Sequence, residues 1–493
     1  MSFVKNFLGS ITNSKNNNST GVNSTSSKLI QSLQTNDALT ENGALTHSTS
    51  NNAIVDLFFI AGASRGIADS DLVIMLEKAW GVNQELTLRL IFWAGDVRGG
   101  AGERRFFRLA LKWLETHYSE VLVKNIKAGN VEFFNRWDSL FDLVTNPEVK
   151  EVVLNQVEQG LENQDGLLAK WLPRKDQYNG FKKLLQQKMK INDAQYRKLV
   201  VHLSETVEQQ MSSKNWSDIT YDGVPSQAFN KYRQAFLRHD KNRFNQYISL
   251  ALKGEVKVNA GAIFPHQLYQ AYNQNKDEDS IVAQWNNLPN YLLESKERIL
   301  PICDVSGSMM GLPMDVSVAL GIYISERNSG IFQNAFITFS QEPKVQYLVG
   351  SLAQRIRQLE TAEWGMNTDL YQVFRVLLNK AKSDNIEANE MPTMLLIFSD
   401  MEFDQAISGN TNLDSIKKEY ANVGYELPRI VFWNLRGRLG NSPAKSSDQN
   451  IALVSGFSPA ILQDLLQGNV KNFTPYQIML QTLQKDRYSR VLI

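Results

Sequence analysis

The residues with the clearest chemistry stand in one short run, Asp304-Val305-Ser306-Gly307-Ser308, an acidic residue followed by two hydroxyls at spacing two. Alternate side chains of an extended segment point the same way, so one carboxylate and two hydroxyl oxygens can converge on a point. Oxygen donors of this kind suit a hard divalent cation, Mg2+ or another such as Mn2+, in octahedral geometry with water filling the remaining positions. Two further oxygens stand downstream: Thr368 in GMNTDL, just before a helical pattern, and Asp400 at the end of the apolar run TMLLIFSD. Hydroxyls at Ser306, Ser308 and Thr368 could also cap the helices that follow them, a role compatible with metal binding.

A second set of residues could meet phosphates. Arg98, Arg104, Arg105 and Arg108 surround the Gly-rich stretch DVRGGAGE; Lys170, Arg174 and Lys175 form another cluster, and Arg238, His239, Lys241 and Arg243 a third. Clusters at helix ends let side chains and exposed backbone N–H groups act on a phosphate together. Asp96, Glu103 and Asp240 lie in the same segments, so surface ion pairs are the competing reading. RGGAGE lacks the Gly-Lys-Ser/Thr ending of a nucleotide-binding P-loop. Trp93, Trp137, Trp171 and Trp216 could stack on unpaired bases, although tryptophan in an amphipathic helix is more often core. His117, His202, His239 and His266 show no zinc-site spacing, and the single cysteine, Cys303, lies in an apolar run that reads as buried. No Ser/His/Asp arrangement is evident, and the chain is expected not to be an enzyme.

These residues need elements to position them. The chain has 493 residues, 43% hydrophobic and 21% charged, with a formal net charge of +1. That length exceeds one ordinary core, and the balanced charge means that any basic surface must be local. Residues 1–50 are rich in Asn, Ser and Thr and read as a disordered tail. From 51 to 295 apolar residues recur at helical spacing, as in DLVIMLEKAW and RRFFRLALKWLETHY, with Gly, Pro and Asn between the runs. This predicts an all-α domain of stacked helical hairpins resembling HEAT-like repeats. From 296 to 493 the pattern changes to buried strand-like runs, ERILPIC, NAFITFSQEPKVQYLVG with a turn at Gln341 to Lys344, TMLLIFSD and RIVFWNLRG, alternating with amphipathic helices. That alternation predicts an α/β doubly wound, Rossmann-like domain whose ligands sit at the carboxyl ends of parallel strands. No run approaches the ~20 apolar residues that span a bilayer, and the start lacks the apolar core of a signal peptide. A cytoplasmic protein with no membrane association is expected.

DVSGS, a downstream loop Thr and a strand-terminal Asp together resemble the metal-ion-dependent adhesion site of von Willebrand factor A domains, with all five positions in the family's order. The helical segments NAIVDLFFIAGASRG, IFWAGDVRGGAGERRFF, VEFFNRWDSLFDL and AFLRHDKNRF resemble the TROVE module of the Ro ribonucleoprotein family. They are closer still to its relatives of unassigned function, in which a TROVE-like half precedes the same A domain. The resemblance covers roughly residues 50–493. It implies a helical ring that binds small non-coding RNA and the single-stranded ends of misfolded RNA; no DNA specificity is inferred. It also implies a metal at Asp304, Ser306, Ser308, Thr368 and Asp400 that docks an acidic partner group. Two functions follow as expectations: a non-catalytic RNA-binding protein of the Ro type, or a protein-interaction adaptor working through its metal. A continuous basic face on the helical half would favour the first, and a patchwork of balanced charge the second.

Overall fold

The computed structural model describes residues 37–174, 177–204, 206–274, 277–339, 343–362, 368–405, 411–466 and 473–493. The chain opens with a two-stranded hairpin, β1 (Asp37–Leu39) and β2 (Leu45–His47). Residues 37–50 were expected to belong to a disordered tail and are instead ordered; the rest of that segment lies outside the described residues. The reason is polar rather than apolar. Thr40 Oγ1 donates to the Phe403 carbonyl at 2.7 Å, Asn42 Nδ2 to the Glu402 carbonyl at 2.7 Å, and Thr46 Oγ1 to the Ser442 carbonyl at 2.9 Å. Asn, Ser and Thr look like tail residues, yet here they supply the hydrogen bonds that fix the segment.

From Ala53 to Asn286 the described residues form helices and the turns between them, as the 3.6-residue periodicity predicts. Its helices start with side-chain caps: Asn52 accepts from the Ile54 and Val55 amides, and Asn146 from Glu148 and Val149 with Pro147 in the first turn. Most of these helices bury their apolar faces in one core, while residues from Val207 to Val258, with Phe229, Phe236 and Phe244, close a smaller second one.

The described residues of the C-terminal half include six strands, β3 (Ile299–Cys303), β4 (Ala335–Thr338), β5 (Val345–Tyr347), β6 (Met394–Ser399), β7 (Arg429–Asn434) and β8 (Ile451–Ser455). They form one sheet in the order β5-β4-β3-β6-β7-β8, parallel throughout except for β5, which runs antiparallel to β4. Part of the expected β4–β5 turn, residues 341–342, lies outside the described residues. Strand β8 was missed by periodicity because five apolar residues bounded by polar ones carry too little pattern to call. The chain leaves β3 for β4 on one side, then returns to β6 on the other, so β3 and β6 flank the point where strand order reverses. In open α/β sheets that crevice is where ligands bind.

The two halves share a core. Residues 38–493 form one compact unit, and a single apolar cluster runs from Ala44 to Val491. Helix Ala53–Ala61 packs directly on β8. At its end a Cβ on Gly62 would lie 2.3 Å from the Ser455 carbonyl oxygen, so only glycine permits this approach. Ser455 Oγ donates to the Phe58 carbonyl at 2.7 Å, and Asn434 Nδ2 to that of Phe59 at 3.1 Å. At the other end the C-terminus returns to the helical half, where Asn125 Nδ2 and Asn130 Nδ2 donate to the carbonyls of Leu492 and Arg490 at 2.6 and 2.9 Å. Among the described residues no helix is long and apolar enough to cross a membrane.

Candidate metal centre

The ladder between β3 and β6 aligns Cys303 with Phe398 and continues one step further, the Asp304 amide donating to the Phe398 carbonyl at 2.9 Å. Asp304 and Asp400 therefore emerge side by side at the carboxyl edge. Asp304 is fully buried; its Oδ1 accepts from the Ser306 amide at 2.9 Å and its Oδ2 from Ser399 Oγ at 2.6 Å. Burial, countered by the Ser399 hydrogen bond and reinforced by the charge of Asp400, pushes its carboxyl up to about 6. Asp400, 1% exposed, accepts from the Glu402 amide at 3.3 Å.

The hydroxyls are not spent on capping. Ser306 Oγ and Ser308 Oγ lie 3.0 Å apart and hydrogen-bond to each other, while helix Leu312–Arg327 begins after Gly311. Helix Leu370–Ser383 is capped by Asp369, not Thr368. Thr368 is buried and held to the loop after β6 by reciprocal bonds with Asp404: its amide donates to Asp404 Oδ2 at 2.6 Å and its carbonyl accepts from the Asp404 amide at 3.1 Å. Hydrogen bonds thus join Asp304, Ser306, Ser308 and Ser399, the charge of Asp400 acts on Asp304, and Thr368 is tied to the loop after β6 through Asp404.

Two buried carboxylates with hydroxyl oxygens around them carry more negative charge than their hydrogen bonds neutralise, which is the condition a hard cation relieves. Oxygen donors of the kind supplied by Asp304, Ser306, Ser308, Thr368 and Asp400 are those that suit Mg2+ or Mn2+. Among the described residues no group of three or more His, Cys, Asp or Glu gathers in metal-binding fashion. A cation here would depend on hydroxyls as much as on carboxylates. Cys303, in β3, is buried, and that burial pushes its thiol up to about 12, as a small core residue rather than a ligand.

Four residues of this neighbourhood were not foreseen: Glu41, Ser399, Glu402 and Arg438. Arg438 follows β7, and each of its nitrogens meets a carboxylate. Nη2 lies 3.3 Å from Asp400 Oδ2, Nε 3.5 Å from Glu402 Oε1, and Nη1 pairs with Glu41. Arg436 Nη1 donates to the Ser308 carbonyl at 2.5 Å, fastening the loop after β7 to the DVSGS loop. The signal that could have found Arg438 was its place, four residues past the end of a central parallel strand, where ligands of such sheets meet.

The expected phosphate-binding clusters are mostly internal pairs. Arg104 binds Asp138 at 3.0 Å; Arg105 pairs with Asp69 and donates to the carbonyls of Ser64 and Ile67 at 2.9 and 2.7 Å; Arg108 pairs with Asp142 and Tyr178. Arg243 binds Asp240 at 2.8 Å and three backbone carbonyls, those of Trp216, Ser217 and Ile219. Arg174 donates to Ser204 Oγ at 2.6 Å, Lys170 lies 3.9 Å from Glu208, and Lys175 is outside the described residues. Arg98, Arg238 and Lys241 are exposed, with no ion pair among the described residues. Trp93 and Trp137 are core, Trp171 lies under Arg136 at 3.8 Å, and Trp216 stacks on His239 at 4.5 Å.

The Gly-rich loop also has a structural occupant. Asp96, fully buried, accepts from the amides of Arg98 and Gly99 at 3.0 and 3.1 Å, which removes the donors a phosphate would need. Arg487 Nη2 reaches Asp96 Oδ1 at 2.8 Å, and the Tyr488 hydroxyl reaches Asp96 Oδ2 at 3.1 Å. A Cβ on Gly100 would sit 2.0 Å from the Trp93 carbonyl oxygen, so this glycine serves the close turn around Asp96.

Comparison with known proteins gives similarity without an assigned activity. Residues 298–487 match a family described as Domain of unknown function (DUF7788), and residues 40–133 and 166–296 match another, Domain of unknown function (DUF2828). The chain is 28% identical over 504 residues to "Uncharacterized protein L728" of Acanthamoeba polyphaga mimivirus, a match that covers 91% of this chain and 87% of that protein.

Proposed function

We propose that the chain is a non-catalytic, metal-dependent protein-interaction adaptor, whose C-terminal half is a von Willebrand factor A-type module. Asp304, Ser306, Ser308, Thr368 and Asp400 would hold one Mg2+ or Mn2+. Such an ion, when bound with an open position, supplies a positive centre on which an acidic side chain of a partner docks. The observation that carries this reading is the convergence of two buried carboxylates and two hydroxyls at the strand-order reversal between β3 and β6. Met310, 79% exposed and two residues past Ser308, and Leu439, 48% exposed beside Arg438, add apolar surface next to charge. A charged centre bordered by apolar side chains is what a protein partner needs for both orientation and burial.

The RNA-binding reading of the helical half has weaker support. Arg104, Arg105, Arg108 and Arg243 are each paired with a carboxylate, so these four cations are balanced rather than free to face phosphates. It rests on Arg98, Arg238 and Lys241 together with the resemblance to the Ro family.

The test uses the metal first. Calorimetric titration should show one Mg2+ bound by the wild type and none by Asp304→Ala. With Mn2+ loaded, the protein should broaden the methyl proton resonance of acetate beyond what free Mn2+ does, and Asp304→Ala should not. No Mg2+ binding by a folded wild type would discard the metal centre. Mg2+ binding without a carboxylate effect, together with steeply salt-dependent filter binding of a hairpin with a single-stranded 3′ tail, would favour RNA.

A further inference from the structure

A buried carboxylate pair prepared for a cation needs something to hold it when the cation is away. The arginine beside it has the right position. Arg438 reaches Asp400 with one nitrogen, Glu402 with a second and Glu41 of the N-terminal hairpin with the third. Its side chain is 22% exposed, so its charge acts in a partly desolvated setting where attraction is stronger than at an open surface.

The hold is incomplete by construction. Nε is buried and 3.5 Å from Glu402 Oε1, close enough for attraction but without a hydrogen bond, and Nη2 meets Asp400 at 3.3 Å, longer than a good charge-assisted bond. Arg438 also lines a cleft of about 410 Å³ whose walls include Asp56, Asp71, Met75 and Lys78 but not Asp400. The guanidinium therefore borders a second berth in which two carboxylates, Asp56 and Asp71, outnumber one cation, Lys78, with apolar wall for its methylene stem.

We propose that Arg438 is the resident counter-cation of this site: it holds Asp400 while no ion is bound, and yields it to a divalent ion by turning into the cleft beside Asp71. The inference rests on the metal reading above and adds to it the residue that sets affinity. A guanidinium and a divalent ion compete for one carboxylate, so Arg438 lowers the affinity for the ion and keeps the ion-free site folded.

The experiment is Mg2+ calorimetry and thermal unfolding in chelator on the full chain, with Arg438→Gln and Arg438→Lys. Arg438→Gln should bind Mg2+ about tenfold more tightly than wild type and melt at a lower temperature in chelator, with the melting deficit shrinking in saturating Mg2+. Arg438→Lys keeps the charge and should stay within about threefold of wild type. A folded Arg438→Gln that binds Mg2+ equally or more weakly overturns the proposal, as does a melting deficit that saturating Mg2+ leaves unchanged. Should Arg438→Gln fail to fold, Asp71→Asn decides: removing the second berth should weaken Mg2+ binding, and unchanged affinity overturns the proposal. Wild type that binds no Mg2+ overturns the metal reading itself and this inference with it.

Discussion

Asp304→Asn separates the two consequences of a metal centre, because it keeps shape and hydrogen bonds while removing charge. The asparagine oxygen can still accept from the Ser306 amide, now 2.9 Å away, and its amide can donate to Ser399 Oγ, now 2.6 Å away. What disappears is one of two carboxylates that are both almost wholly buried. Replacing a buried charge by a neutral group of the same shape is commonly neutral to stabilising, and we expect a gain of about 1–2 kcal/mol in chelator. In Mg2+ the order should reverse. An ion at 100 times its dissociation constant stabilises the folded wild type by about 2.7 kcal/mol, and the variant forgoes this. Urea unfolding followed by tryptophan fluorescence, with and without Mg2+, reads both signs; Trp433, fully buried in β7, lies near the site. A variant that is less stable than wild type in chelator, and that Mg2+ stabilises as much as wild type, would refute the argument from charge.

Arg487→Ala removes the main cation from buried Asp96 while the Arg98 and Gly99 amides and the Tyr488 hydroxyl remain, so the loss should be about 2–4 kcal/mol, and adding Asp96→Asn should recover about half of it in urea unfolding. A chain that begins at Asn51 should be about 2–4 kcal/mol less stable than one that begins at Asp37, because it lacks the hydrogen bonds of Thr40, Asn42 and Thr46; equal urea midpoints would contradict this. His266 is held down to about 3 by burial and then by the charge of Arg65. Its neutral form is the folded one, so below about pH 6.5 the unfolded chain takes up a proton that the folded chain refuses, and stability falls as pH falls. Relative to His266→Gln, the wild type should lose up to about 1.4 kcal/mol per pH unit between about 6.5 and 3 and nothing above; a flat difference in pH-dependent unfolding would remove His266 from the account.

What could be read in the sequence divides by distance along the chain. Most of the buried strands, β8 excepted, and the amphipathic helices announce themselves through local periodicity, and Asp304, Ser306, Ser308 and Asp400 stand out as candidates through residue type beside such a strand. Residues that depend on remote partners do not. Glu41 and Arg438 meet across 397 positions, and nothing local to either tells of the other. The hairpin Asp37–His47 hides in a composition typical of disorder, because its anchors are hydrogen bonds rather than apolar residues. The basic clusters misled for the same reason: sequence shows the arginines of DVRGGAGERRFFR but not that Asp138, Asp69 and Asp142 come to meet them. The glycines of that stretch signal a demanding turn, and only the fold shows that the visitor to it is Tyr488.

The returning C-terminus sets an order of events during synthesis. Asp96 is made 391 residues before its partner Arg487, a lag of roughly 20–80 s at cellular rates of elongation. Through that interval the helical half holds a carboxylate whose burial has no cation to match, and the far side of helix Ala53–Ala61 waits for β8. The helices therefore complete their packing around Asp96 only after Arg487 has been made. A product that stops before Arg487 leaves Asp96 without its guanidinium and stays open to proteases and chaperones.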